Sequence, residues 1–406
     1  MPINIFGGGA EAIAQVVTVT VDAPPNPGDV YTLTVTLDDG QTREVEYTAT
    51  TGDTEADVLG GLEALWNANR DPAFLDITAE ADSSVQLTLT SEVAGVPFHV
   101  SASANTGAAI TAIVTIANSG PNDYGTPENW SLGRIPIASD DVQIAPGASA
   151  ILYGLDQSEV VLTSFKRLAG HTAQIGREGP APLGEHGAAP RCYLRIRCTG
   201  VVEIRGGGTF VAIDLGISPV SPLIEHLGLP ASNRDAAVYL KGSALNTPEI
   251  RAGYVRLETL TLTGDLYVSG NSHVILSDDC DCEPVGGSTL AIVGPNANVV
   301  AYCNVDDVDI RKGATYHQSK GVWNGLLTMH DNCVVIADSA DTYGDVLAWG
   351  GTLVTDQTPG AKIINSIVIN SAEFSLHQLA GKVTVSSMTV NVSGSDGSTV
   401  VYAVAR

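Results

Sequence analysis

The chain has 406 residues, enough for two or three domains, each able to bury a core without help from disulfides or metal. Its 43 glycines, its mere 16% of charged residues and its abundant Val, Thr, Ile and Ser fit short strands joined by tight turns, so the expected class is mainly β. A net charge of −25, from 45 acidic against 20 basic residues, repels phosphate backbones and anionic headgroups, and disfavours nucleic acid and membranes as partners.

The opening MPINIFGGGAEAIAQ lacks the basic and long apolar regions of a secretory signal, and no run approaches the ~20 apolar residues of a membrane-crossing helix. A chain made and folded in a cytoplasm is expected. There the six cysteines, Cys192, Cys198, Cys280, Cys282, Cys303 and Cys333, are read as free thiols, mostly small core residues. Residues 1–15 are rich in Gly and Ala and read as an N-terminal arm that orders only against a partner.

Residues 16–117 read as a small β-sheet domain with one helix. VVTVTVDA alternates with period two, and VYTLTVTL and TREVEYTA flank DDG as a hairpin. In the next stretch Thr54 is a helix cap and Asp57 stands at the capping-box position. Val58, Leu59, Leu62, Leu65 and Trp66 fall on one helical face. LDITAEA, SVQLTLTS, VPFHVSASA and ITAIVTIA complete the unit as strands.

Residues 118–139 are dense in Gly, Pro, Asn and Asp and read as a linker or cap in which Trp130 plugs the end of the following unit. From 140 to 406 the pattern is short apolar strands punctuated by Gly, Asn or Asp, among them DVQI, AILY, VVLTSF, YLRIRC, VVEI, TLAIV, VVAYC, LLTM and CVVIA. Strands so short and closely spaced suit a parallel β-helix, a solenoid whose coils are filled by Val, Ile and Leu. An antiparallel sandwich would need longer strands and clearer Asn-Gly or Asp-Gly hairpins. The Pro-rich stretches 167–191 and 213–236 are expected to leave the coil as excursion loops.

Two stretches carry a family resemblance. GDVYTLTVTL, VEYTATTGDTEADVLGGLEALWNA and ITAEADSSVQLTLTSEVAGVPFHVSA, with T-x-G-D-T before the helix, resemble a small module of structural proteins of tailed bacteriophages. PENWSLGRIPIASDDVQI is similar to the opening of parallel β-helix regions in large bacterial and phage surface proteins, where N-W-S, a Pro and D-D-V introduce the first rung. Together these cover about the first 145 residues, and the later coils match only in style. The resemblance implies a virion component assembled in the host cytoplasm, with other virion proteins and copies of itself as partners.

Parallel β-helices also host enzymes that cleave polysaccharides. Glycoside hydrolysis needs two carboxylates about 5–10 Å apart. Residues i and i+2 of a strand share a face at about 6–7 Å, so Asp279 with Asp281, or Asp307 with Asp309 beside Asp306, is an admissible pair. Solenoid turns also favour Asp for purely structural reasons. Cys280 and Cys282 share a strand face, with Cys303 and Cys333 following at coil-like distances. Stacked core cysteines are expected rather than a zinc site, because no second C-x-x-C or suitably spaced His accompanies them. No EF-hand, H-E-x-x-H or G-x-S-x-G occurs, and Gly206 to Gly208 lack the Lys-Ser/Thr of a phosphate loop. Trp323, Tyr316, Trp349 and Tyr343 are candidates for a sugar-stacking face or for covers on the ends of rungs.

No catalytic, cofactor or metal residue is therefore assigned. The expected protein is a non-enzymatic virion component (decoration, fibre or tail-associated) that docks through its N-terminal part and forms homo-oligomers, a trimer being natural for a fibre or spike. The alternative is a tailspike-like receptor-binding protein that binds or degrades host surface polysaccharide.

Overall fold

A computed structural model describes residues 2–36, 41–82, 86–105, 108–178, 191–208, 210–229, 236–283, 287–339, 341–355, 361–370, 374–377, 383–393 and 399–403. It is mainly β, 53% strand and 6% helix, and its body is a parallel β-solenoid of about 10 turns. Its rung strands pair in parallel with strands one coil later, apart from the closing antiparallel pair Val383–Ser393 and Thr399–Ala403, so the sheets wrap around an axis as a solenoid and do not close into a barrel.

Short strands with alternating apolar residues suffice because each coil sends every second side chain inward, where the coils above and below cover it. Leu290, Val308, Leu327, Val346 and Ile367 form one such column, and Ile292, Ile310, Met329, Ala348 and Ile369 run beside it. Val299, Tyr316, Val335, Leu353 and Leu376 stack in a second sheet. A third column holds Cys282, Val305 and Trp323. All belong to one continuous core or pack against it.

The N-terminal arm differs from its expectation. Ile3–Phe6 is a strand of the solenoid, paired in parallel with Asp141–Ile144. The partner that orders it lies in the same chain, far along the sequence, so glycine and alanine content alone could not reveal it. Residues 16–117 are thus inserted between the first rung strand and the rest of the solenoid.

The inserted module contains a four-stranded antiparallel sheet, in the order Ile77–Ala81, Leu87–Ser91, Val16–Val21, Ile110–Ile116. A three-stranded antiparallel sheet runs Thr42–Thr48, Val30–Thr36, His99–Ala104. The expected hairpin pairs Val30 with Thr48 through to Thr36 with Thr42. The helix Glu55–Ala68 begins with the expected capping box between Thr54 and Asp57 and buries Val58, Leu59, Leu62 and Trp66. Leu65 is instead 41% exposed. A second short helix, Pro72–Leu75, carries Phe74, whose ring meets Trp66 edge-on at 4.7 Å.

The expected excursions also change. The first narrows: Ile175 already bridges to Ile151 and Val211, and the departing hairpin begins at Arg177–Glu178, paired with Arg191–Cys192. Residues 179–190 lie outside the described residues. Much of 213–236 belongs to the coil itself, since Leu223–His226 pairs with the strands Val202–Gly206 and Glu249–Leu262. Pro219 and Pro222, read as loop signals, only lead into this four-residue strand. Of the expected AILY strand, Ile151 and Tyr153 make isolated parallel bridges.

Candidate functional site

The N-W-S and D-D-V residues build the first end of the solenoid. The Asn129 side chain donates to the Gly120 and Asp123 carbonyls at 2.8 and 2.7 Å and accepts from the Ala10 amide at 2.9 Å. Trp130 Nε1 donates to the Tyr124 carbonyl at 2.8 Å, and its buried ring meets Phe6 and Tyr124 edge-on at 5.1 and 4.6 Å. Ser131 Oγ accepts from the Ile5 amide at 2.9 Å, and the Ser131 amide donates to the Ile5 carbonyl at 2.9 Å. These bonds cover the outer edge of the first strand, which would otherwise present unpaired groups to other chains. Asp140 accepts two bonds from the Arg134 guanidinium, at 2.6 and 3.0 Å, and that partner chiefly holds its carboxyl below the ordinary range. Asp141 accepts from Ser164 Oγ, one coil later, at 2.6 Å.

Of the candidate acids, Asp279, Asp307 and Asp309 serve the same coil-to-coil role. Asp307 Oδ1 accepts from the Leu326 amide of the next coil at 2.6 Å, as Asp265 does from the Thr289 amide at 2.9 Å. Asp309 receives Arg311 Nε at 2.9 Å and lies 3.2 Å from His330 Nε2 of the next coil. Asp279 accepts from Thr259 Oγ1 at 2.8 Å, and Asp281 from the Glu283 amide at 3.2 Å. Asp306 lies close to Gly287 and Gly325. The spacing along each strand is as expected, but the carboxylates are engaged by neighbouring coils or by residues of their own strand.

Of the four candidate aromatics, Tyr316, Trp323 and Tyr343 are buried inside the solenoid, with Trp323 and Tyr343 ring centroids 4.3 Å apart. Only Trp349, 48% exposed, reaches the surface. A flat ring cannot stack on a sugar from inside the core, so these residues do not make a carbohydrate platform.

Chemistry does gather at the cysteines. Cys280, Cys282 and Cys303 are buried, and Cys280 Sγ donates to the Leu257 carbonyl of the preceding coil at 3.2 Å. Cys333 is buried apart from them, with burial raising its thiol to about 11. The three clustered thiols border a cavity of about 330 Å³ that is also lined by Asp278, Glu283 and Tyr302. Among the described residues no group of His, Cys, Asp and Glu is arranged to hold a metal ion.

With this geometry in place, comparison with known proteins leaves the chain alone. No family model, no curated protein and no solved structure matches it.

One cluster was missed from sequence. Arg167, His171 and His226 are buried together inside the early coils. Arg167 donates Nε to His171 Nδ1 at 2.9 Å and its terminal nitrogens to the Arg205 and Gly207 carbonyls at 2.7 and 2.5 Å. His226 Nδ1 accepts from the Gly228 amide at 3.1 Å. Burial, reinforced by the nearby guanidinium, lowers both histidines to about 4 and keeps them neutral. These positions align only through the coil period, which no local motif announces.

Proposed function

We propose that the chain is a non-enzymatic structural component of a bacteriophage-type virion, with a β-helical body that self-associates and an inserted N-terminal module that docks it into the particle. The observation that carries docking is the strand Ile110–Ile116. It is the terminal strand of its sheet and exposes Ile113 at 62%, Val114 at 53% and Ile116 at 48%. An apolar edge strand is a template for pairing with another chain. The virion setting rests on the resemblance of the T-x-G-D-T module and the N-W-S entry to phage structural proteins. A structural role is favoured over polysaccharide cleavage because the acid pairs are engaged in the solenoid's own hydrogen bonds and ion pairs and three candidate aromatics are buried.

Native mass spectrometry combined with electron microscopy of the purified protein tests this reading. Symmetric oligomers that attach to or assemble into a larger particle are expected. A free monomer that cleaves host polysaccharide would overturn it.

A further inference from the structure

The strongest unassigned chemistry lies where the coil containing Cys280-Asp281-Cys282 meets the next one. Asp281 faces outward, so Cys280 and Cys282 both point into the core. The following coil adds Cys303 to the same cavity. Cys282 is bridged in parallel to Val305, so its own neighbour on the next coil is not a cysteine, and Cys280 and Cys303 each lie two residues before an end of that bridge. Cys280, Cys282 and Cys303 all line the same cavity between the two coils. Parallel neighbours about 4.8 Å apart fall within the roughly 4.4–6.8 Å Cα separation that a disulfide spans. Cys280 and Cys282, one residue apart on an extended segment, could close on each other only by distorting the backbone. The cavity of about 330 Å³ at the three thiols has room for a small oxidant.

We propose that Cys280 and Cys303 form an oxidisable pair whose disulfide staples two consecutive coils, with hydrogen peroxide as the oxidant. One sulfur, as thiolate, attacks a peroxide oxygen; the O–O bond breaks, leaving a sulfenic acid, and the departing hydroxide takes up a proton as water. The second sulfur then attacks the sulfenic sulfur, the S–O bond breaks, the S–S bond forms and a second water leaves. Two thiols are oxidised by two electrons and one peroxide is reduced to two waters. The first step is slow because Cys280 is held well above the ordinary thiol range, first by the neighbouring Cys303 and then by burial. This inference is independent of the proposed virion role.

The test is peroxide treatment of the full-length native protein, alkylation of the remaining thiols and peptide mapping without reductant. The expected result is loss of two titratable thiols per chain and a linked peptide joining Cys280 to Cys303. The link should persist in Cys282→Ser and Cys333→Ser and vanish in Cys303→Ser. Linkage through any other cysteine, sulfinic or sulfonic products without a link, or no reaction while the unfolded chain reacts would each overturn the proposal. The wild-type map decides the matter even if Cys303→Ser fails to fold.

Discussion

Asn129 satisfies three backbone groups from two separated segments with one buried amide, at Ala10 and in the Gly120–Asp123 turn. Removing a side chain that serves several buried groups leaves each without a partner, and that loss exceeds the value of the bonds themselves. Asn129→Ala is therefore expected to destabilise the first coil by about 2–4 kcal/mol, read as faster hydrogen exchange at the Ala10 amide and earlier thermal unfolding. The buried histidines make a second residue-scale prediction. His171 and His226 are lowered to about 4 in the folded chain, mainly by burial. Between their unfolded value near 6.5 and that folded value, the unfolded chain takes up protons that the folded chain refuses. Stability is thus complete above about pH 6.5 and falls as pH drops towards 4, by up to about 1.4 kcal/mol per pH unit for each histidine. Denaturant titrations across this range check the slope, and His226→Gln should flatten it by about one proton.

At the scale of elements, the helix Glu55–Ala68 offers adjacent glycines with opposite predictions. A Cβ at Gly60 meets nothing within 4 Å, whereas one at Gly61 would lie 2.2 Å from the Tyr47 ring on the strand beneath. Gly60→Ala should stabilise the module by roughly 0.5–1 kcal/mol through reduced backbone entropy. Gly61→Ala should destabilise it by about 1–3 kcal/mol through overpacking, and urea unfolding of the two variants compares them directly. This helix was legible in sequence because its capping box and apolar period are local. Leu65 was misplaced because a period defines a face but not how wide a surface the sheets will cover. The strand Leu223–His226 was hidden for the converse reason: its backbone partners lie in other coils, and two prolines nearby imitate a loop.

Across the whole molecule, the solenoid's first end is closed by its own chain. The strand Ile3–Phe6, the Trp130 ring and the 129–131 backbone cover an edge that would otherwise recruit other strands. Deleting residues 1–6 should expose the Asp141–Ile144 edge and shift the protein to irregular, concentration-dependent association, visible by light scattering on a sizing column. Ile113→Lys addresses a different surface. On the exposed strand of the inserted module, a charge should abolish docking while leaving thermal stability within about 0.5 kcal/mol of wild type.

The mainly β class, the hairpin, the capped helix and the solenoid style were determined by sequence, because period-two alternation, turn residues and capping are properties of neighbouring positions. The same short range made the acid pairs and clustered cysteines visible as candidates. Only the tertiary structure decided what those residues do. It engaged the carboxylates in contacts along and between coils, buried three aromatics, gathered Cys280, Cys282 and Cys303 at one cavity, and brought Arg167 to His226. The physical reason is that a solenoid makes its decisive contacts one coil apart, and the coil length varies with every turn and loop that the chain inserts.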